Sequence, residues 1–218
     1  MTMTEKKQVT VFISYAHNNQ AYVDVFLKEF EKHSNLAKEF KWLPWTDKNI
    51  RPGNNWHKDI QRQVNGCDFA ILLLSKGFLN SRHLEKNEFN NLLKRAGDDR
   101  FLFFPVMLEP CDFSSWEELE KRQFFMPKGV KYGKPHLDHI SYTDLVEFNK
   151  ADNTPLPDPM RKRYMTDLAK TLEETLKQYK PSTQKKKEKN KYFKWLKPAG
   201  ELIPEDILEP GKRADVNR

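Results

Sequence analysis

Cysteine is nearly absent from this chain. Its 218 residues hold two, Cys67 and Cys111, too few for a disulfide framework or a zinc site of their own. That fits a reducing cytoplasm. Glycine is also scarce, and none of it falls in a phosphate-cradling pattern. There is no G-x-x-x-x-G-K-[ST], so a P-loop nucleotidase is excluded, and no G-x-G-x-x-G follows the first strand-like run, which argues against a classical dinucleotide-binding domain. No apolar run exceeds strand length, so no membrane span is available. The amino-terminal MTMTEKKQ is charged and lacks an apolar core, so no secretion is expected. A uniform positive charge is missing too. The net charge is +7, but residues 181–218 hold ten Lys/Arg against six Asp/Glu, leaving 28 against 25 in the first 180. Nucleic-acid binding by the main part of the chain is therefore not indicated.

What is present is strand–helix alternation. Residues 9–15 (VTVFISY), 69–75 (FAILLLS) and 101–108 (FLFFPVML) are almost wholly apolar and rich in β-branched or aromatic side chains. Continuous rather than alternating apolar runs belong to strands covered on both faces, as in parallel sheets. Helical spacing appears at 21–33, 56–65 and 81–95, and again from Pro159 to about Tyr179 with Met160, Tyr164, Leu168, Leu172 and Leu176 on one face. A further strand is expected at 40–45 (FKWLPW), where Pro44 removes a ladder donor and so predicts a sheet edge. An irregular excursion with a short helix is expected over 111–133, and a fifth strand near 137–141. The expected fold is α/β: a flavodoxin-like, five-stranded parallel sheet of order 2-1-3-4-5 flanked by helices, in which strand 2 is the edge. The chain divides into a domain over 1–180 and a basic carboxyl-terminal tail over 181–218. In the tail, KKKEKNKYFKWLK is basic with interleaved aromatics, and reads either as a solvated segment or as an element that binds nucleic acid or an acidic partner.

In such a sheet, ligands bind at the carboxyl ends of the strands where the strand order reverses. The loops there are 14–20 (SYAHNNQ) and 75–81 (SKGFLNS). A phospho-acceptor site would want aspartates at these strand ends, where Tyr15 and Ser75 stand, and a flavin loop would want Thr, Ser or Gly in place of AHNNQ. The helix expected at 81–95 borders this crevice. On it Ser81, Glu85 and Glu88 share a face by i, i+4, i+7 spacing. A carboxylate so placed can stabilise a cationic transition state, although two solvated glutamates on an amphipathic helix would look the same. His136 and His139 have no third and fourth ligand at metal-site spacing and read as structural or surface residues.

The ordered set VFISYAH (11–17), W-x-D-x-x-I-x-P-G-x-x-W (45–56) and D-F-A-I-L-L-L-S-x-x-F-L-x-S followed by a glutamate (68–88) resembles a prokaryotic Toll/interleukin-1 receptor (TIR) domain of the NAD-cleaving type. The resemblance runs on, more weakly, to about residue 179. It implies cleavage of the nicotinamide–ribose bond of NAD+, which is substrate rather than cofactor. It implies a catalytic glutamate at Glu88, with Glu85 the alternative register. The segment 47–55 matches the family's BB loop, which gates the pocket and mediates self-association; Arg51, Pro52 and Gly53 form its tip. The loop 14–20 departs from the family pattern in carrying Asn18 and Asn19 where an acidic residue is usual. Candidate substrate-binding residues are Ser14, Tyr15, Ala16, His17, Trp45, Asp47, Arg51, Trp56, Ser75, Phe78 and Ser81. For Trp45 and His17, packing and plain exposure are equally good readings.

The resemblance also implies a setting in antiphage immunity, such as the TIR component of a Thoeris-like system, with a separate sensor or effector protein as partner. ADP-ribose, a cyclic product and a base-exchanged product all remain open. So do two other classes: a non-catalytic TIR scaffold assembling through its BB loop, and a nucleoside-processing enzyme such as a 2-deoxyribosyltransferase.

Overall fold

The computed structural model describes residues 6–34, 37, 39–50, 52–80, 101–120 and 122–178. The strands are β1 (Lys7–Ser14), β2 (Phe40–Trp45), β3 (Phe69–Leu74) and β4 (Leu102–Met107). The helices are α1 (Gln20–Ser34), α2 (Trp56–Gly66), the single turn α3 (Lys76–Leu79), the short α4 (Glu117–Glu120) and α5 (Pro159–Gln178). All strand pairs are parallel and the order is β2-β1-β3-β4. This is the first four positions of the order expected from the apolar runs. Among the described residues β2, which carries Pro44, pairs with β1 alone and forms an edge, with Pro44 opposite Val11.

The continuous apolar runs exist because the sheet is covered twice. In β3 every residue is buried, and alternate side chains enter opposite layers. Phe69, Ile71 and Leu73 join Val11 and Ile13 of β1, Phe26 and Phe30 of α1, and Leu168 and Leu172 of α5 in one layer. Ala70, Leu72 and Leu74 join Phe12, Ile60 and Val64 of α2, and Phe78 in the other. The period-2 geometry of a strand makes this division automatic. Among the described residues no helix is long and apolar enough to cross a membrane.

Asp68 fixes the register at the amino end of β3. Its Oδ2 accepts from both the backbone N–H and the hydroxyl of Thr10, each at 2.8 Å, and its own N–H donates to Thr10 Oγ1 at 3.0 Å. The aspartate of the 68–81 motif is thus a structural clasp at the sheet edge opposite the crevice. Asp68→Ala strands two donors of Thr10 at once. Urea unfolding of that variant is expected to show a loss of about 2 kcal/mol with an unchanged m-value.

The fifth strand expected at 137–141 does not form among the described residues. That stretch makes one isolated bridge, Lys128 to His139. The Asp144 carboxylate then accepts from the Ser141 backbone N–H at 2.7 Å and turns the chain into a 3-10 segment, Tyr142–Leu145. Thr143 N–H reaches Leu108 O at 2.9 Å, so contact with the end of β4 is made at one point rather than along a ladder. α5 begins at Pro159, as the sequence pattern predicts, and buries Tyr164, Leu168, Leu172 and Leu176, together with Arg161 and Met165. The tail over 181–218 lies outside the described residues.

Candidate functional site

The carboxyl ends of β1 and β2 bring three polar side chains together. β1 ends at Ser14, and the next residues form a loop whose only regular piece is a 3-10 turn, His17–Asn19. β2 ends at Trp45 and Thr46 caps a second 3-10 turn, Asp47–Asn49, by reciprocal bonds with Asn49. Because β1 and β2 are parallel neighbours, both turns rise on the same edge of the sheet. Tyr15 donates its hydroxyl to Asp47 Oδ1 at 2.7 Å, and His17 Nε2 lies 3.0 Å from Asp47 Oδ2. The Tyr15 and His17 rings meet edge-on, with centroids 5.8 Å apart. Burial, reinforced by the Asp47 carboxylate, pushes the Tyr15 phenol far above its ordinary range. It therefore stays protonated and stays a donor. The His17 side chain is 70% exposed, so it is the member of the group most open to an incoming molecule.

Asp47 also opens the segment 47–55. Its neighbour Lys48 pairs with Asp24 of α1, and at the far end Asn55 caps α2 by accepting from Lys58 N–H at 3.0 Å. Gly53 has φ +87°, a left-handed conformation in which a side chain is strained. Pro52, Gly53, Asn54 and Asn55 are exposed. The loop is therefore anchored at both ends and open at its tip.

The other candidates are placed differently. Trp45 is 8% exposed and stacks on Phe12, with ring centroids 5.7 Å apart; it is a packing residue in this arrangement. Ser75 is fully buried, and its hydroxyl accepts from Phe78 N–H at 3.0 Å as the cap of α3. Phe78, Ala16 and Ser14 are buried at the strand ends. Trp56 is partly buried against the second layer. Arg51, Ser81, Glu85 and Glu88 lie outside the described residues.

One residue at this edge escapes sequence reasoning. Glu109 stands two residues past the end of β4, and its carboxylate accepts from Asn19 Nδ2 and from Lys76 N–H, each at 2.9 Å. The available signal is a carboxylate just after a parallel strand, which topology puts on the crevice edge. The loops after β1 and β3 also touch directly: a Cβ at Gly77 would fall 2.1 Å from Asn18 Nδ2. Nearby, burial pushes the Cys111 thiol up to about 11, and the Glu109 and Asp112 carboxylates add to it. Little thiolate exists at neutral pH. Alkylation of Cys111 by iodoacetamide at pH 8 is expected to be roughly a hundredfold slower than that of an unperturbed thiol, measured by mass spectrometry of the labelled peptide.

A sequence model of the family described as TIR domain matches residues 11–154. The chain belongs to the TIR domain family. A protein of Sinorhizobium fredii (strain NBRC 101917 / NGR234), named only as uncharacterized protein y4lF, is 27% identical over 104 residues, which is 48% of this chain and 31% of the relative. The chain thus aligns with under a third of that relative's length. Among solved structures, the TIR domain of the Toll-related receptor TRR-2 from the lower metazoan Hydra magnipapillata is similar at 16% identity and a TM-score of 0.38. The match covers 52% of this chain and 82% of that one.

Proposed function

We propose that this TIR domain cleaves the nicotinamide–ribose bond of NAD+, with Glu88 as the catalytic carboxylate, and that it does so as a signal-producing component of prokaryotic antiphage immunity. The observation that carries the reading is the Tyr15–Asp47–His17 group at the carboxyl ends of β1 and β2, on the β1 side of the point between β1 and β3 where the sheet order reverses. Membership of a family that includes NAD-cleaving enzymes, and the glutamate at the motif position, support it.

The chemistry asks little of the protein. The nicotinamide nitrogen is already cationic, so the leaving group needs no general acid. The barrier lies in oxocarbenium character developing on the ribose as the C1′–N bond breaks. A single carboxylate beside C1′ stabilises that charge, the role given to Glu88. In hydrolysis a water oxygen bonds to C1′, nicotinamide departs with the bond's electron pair, and the water's proton passes to solvent. Tyr15, whose one hydroxyl proton is given to Asp47, offers an aromatic edge to the nucleotide. His17 offers an exposed ring nitrogen on the same carboxylate.

A second reading has its own observation. The tip at 52–55 is exposed while both ends of the loop are tied down, which suits a scaffold that assembles copies of itself without turnover. Self-association through this loop is equally part of the enzymatic reading, so specific activity should rise with protein concentration. Nicotinamide release from NAD+ by the purified protein, across a concentration series and with products resolved by mass, separates the two. Release identifies the enzyme and its product; assembly without release identifies the scaffold.

A further inference from the structure

One carboxylate at the crevice edge has no part in the chemistry above. Glu109 is fixed at its backbone, since the N–H groups of Leu108 and Glu109 both donate to Leu74 O, at 2.9 and 3.1 Å. Its side chain then reaches two different loops. Oε1 accepts from Lys76 N–H, and Oε2 accepts from Asn19 Nδ2, each at 2.9 Å. Lys76 opens α3 after β3. Asn19 closes the 3-10 turn after β1. These are the two loops that border the switch point of the sheet.

The joint is built into the fold. Asn19 is 7% exposed, and its Oδ1 finds no hydrogen-bond partner among the described residues, so Glu109 is what satisfies the donor half of a buried amide. Lys76 supplies the first amide of α3, which has no acceptor within its own turn. An ionised carboxylate is a stronger acceptor for it than a neutral group. The close approach of Asn18 to Gly77 shows how little play the two loops have once joined.

We propose that Glu109 is a positioning residue for the NAD+ reaction. Acting through Asn19 and Lys76, it holds the loops 14–20 and 75–80 at one separation and so sets the shape of the crevice that receives the nucleotide. This rests on the NAD+ reading given above. The role is one of affinity rather than of bond-making, so it belongs in KM more than in kcat.

The test uses the full chain with Glu109→Ala and Glu109→Gln. Nicotinamide release is followed against NAD+ concentration, and amide hydrogen exchange over 75–80 and 16–20 is followed without substrate. Glu109→Ala is expected to raise KM roughly tenfold, with kcat changed by less than about threefold, and to speed exchange in both loops. Glu109→Gln is expected to recover most of the KM. The introduced oxygen still accepts from Lys76 N–H, and Asn19 can turn its amide so that Oδ1 accepts from the introduced NH2 group. If the alanine variant does not fold, Asn19→Ala carries the same comparison. Faster exchange with KM within about twofold of wild type overturns the proposal, because the joint would then be structural only. Unchanged exchange overturns it as well, because no joint would exist. Absence of NAD+ turnover in the wild-type protein overturns the NAD+ reading, and this proposal with it. That outcome is recognised before any variant is compared.

Discussion

Glu88→Gln is expected to lower nicotinamide release from NAD+ by roughly 10²- to 10³-fold. The substitution keeps the size of the side chain and removes its charge. If the barrier is the oxocarbenium character of the ribose, losing the one full negative charge beside it is felt in the transition state far more than in the bound substrate. The loss should therefore fall on kcat, with KM nearly unchanged. Glu85→Gln is the companion variant. It lies on the same predicted helical face, and only the register of the motif distinguishes the two glutamates. A rate close to wild type in Glu85→Gln, beside the loss in Glu88→Gln, assigns the catalytic carboxylate. The reverse pattern would move the assignment three residues along the chain.

Asp47→Ala is expected to lower kcat/KM for NAD+ by roughly 10- to 100-fold. One carboxylate holds Tyr15 at 2.7 Å and His17 at 3.0 Å, and it is also the first residue of the anchored loop 47–55. Its removal frees the Tyr15 hydroxyl and the His17 ring together and loosens the start of that loop. Asp47→Asn should retain part of the activity, because an amide oxygen can still accept from Tyr15. Tyr15→Phe then isolates the hydroxyl. If Asp47→Ala and Tyr15→Phe are additive, the two side chains act separately; if the double variant is no worse than Asp47→Ala alone, they act as one unit. Initial rates across NAD+ concentrations for the four proteins decide between these.

The fold was legible where burial on both faces left an unmistakable pattern. FAILLL can only be a strand between two layers, and its six residues divide between the two cores as the pleat requires. Pro44 marked an edge strand because a missing N–H is better tolerated there than between two paired neighbours. The spacing from Met160 to Leu176 marked α5. The expected fifth strand at 137–141 is absent among the described residues for a reason no periodicity reveals. A side-chain bond from Asp144 to the Ser141 backbone turns the chain before a ladder can extend.

The site was legible in part. Tyr15, His17 and Asp47 stand in motifs, but Tyr15 and Asp47 are 32 residues apart in sequence. Only the parallel pairing of β1 with β2 brings them together. Trp45 and Ser75 carry the same motif weight, yet one stacks on Phe12 and the other caps α3. A sequence motif does not distinguish a residue kept for the fold from one kept for a ligand. Glu109 was invisible for the opposite reason. A lone glutamate after a strand makes no pattern, and its two partners lie 33 and 90 residues away.

The most direct measurement is the position of NAD+ in crystals of the Glu88→Gln variant, in which turnover is too slow to consume the ligand. The expected result places the nicotinamide riboside half at the carboxyl ends of β1 and β3, in contact with Tyr15 or His17, with residue 88 beside C1′. NAD+ bound elsewhere on the chain, or bound there with residue 88 remote from the ribose, would contradict the assignment of this crevice as the site of cleavage.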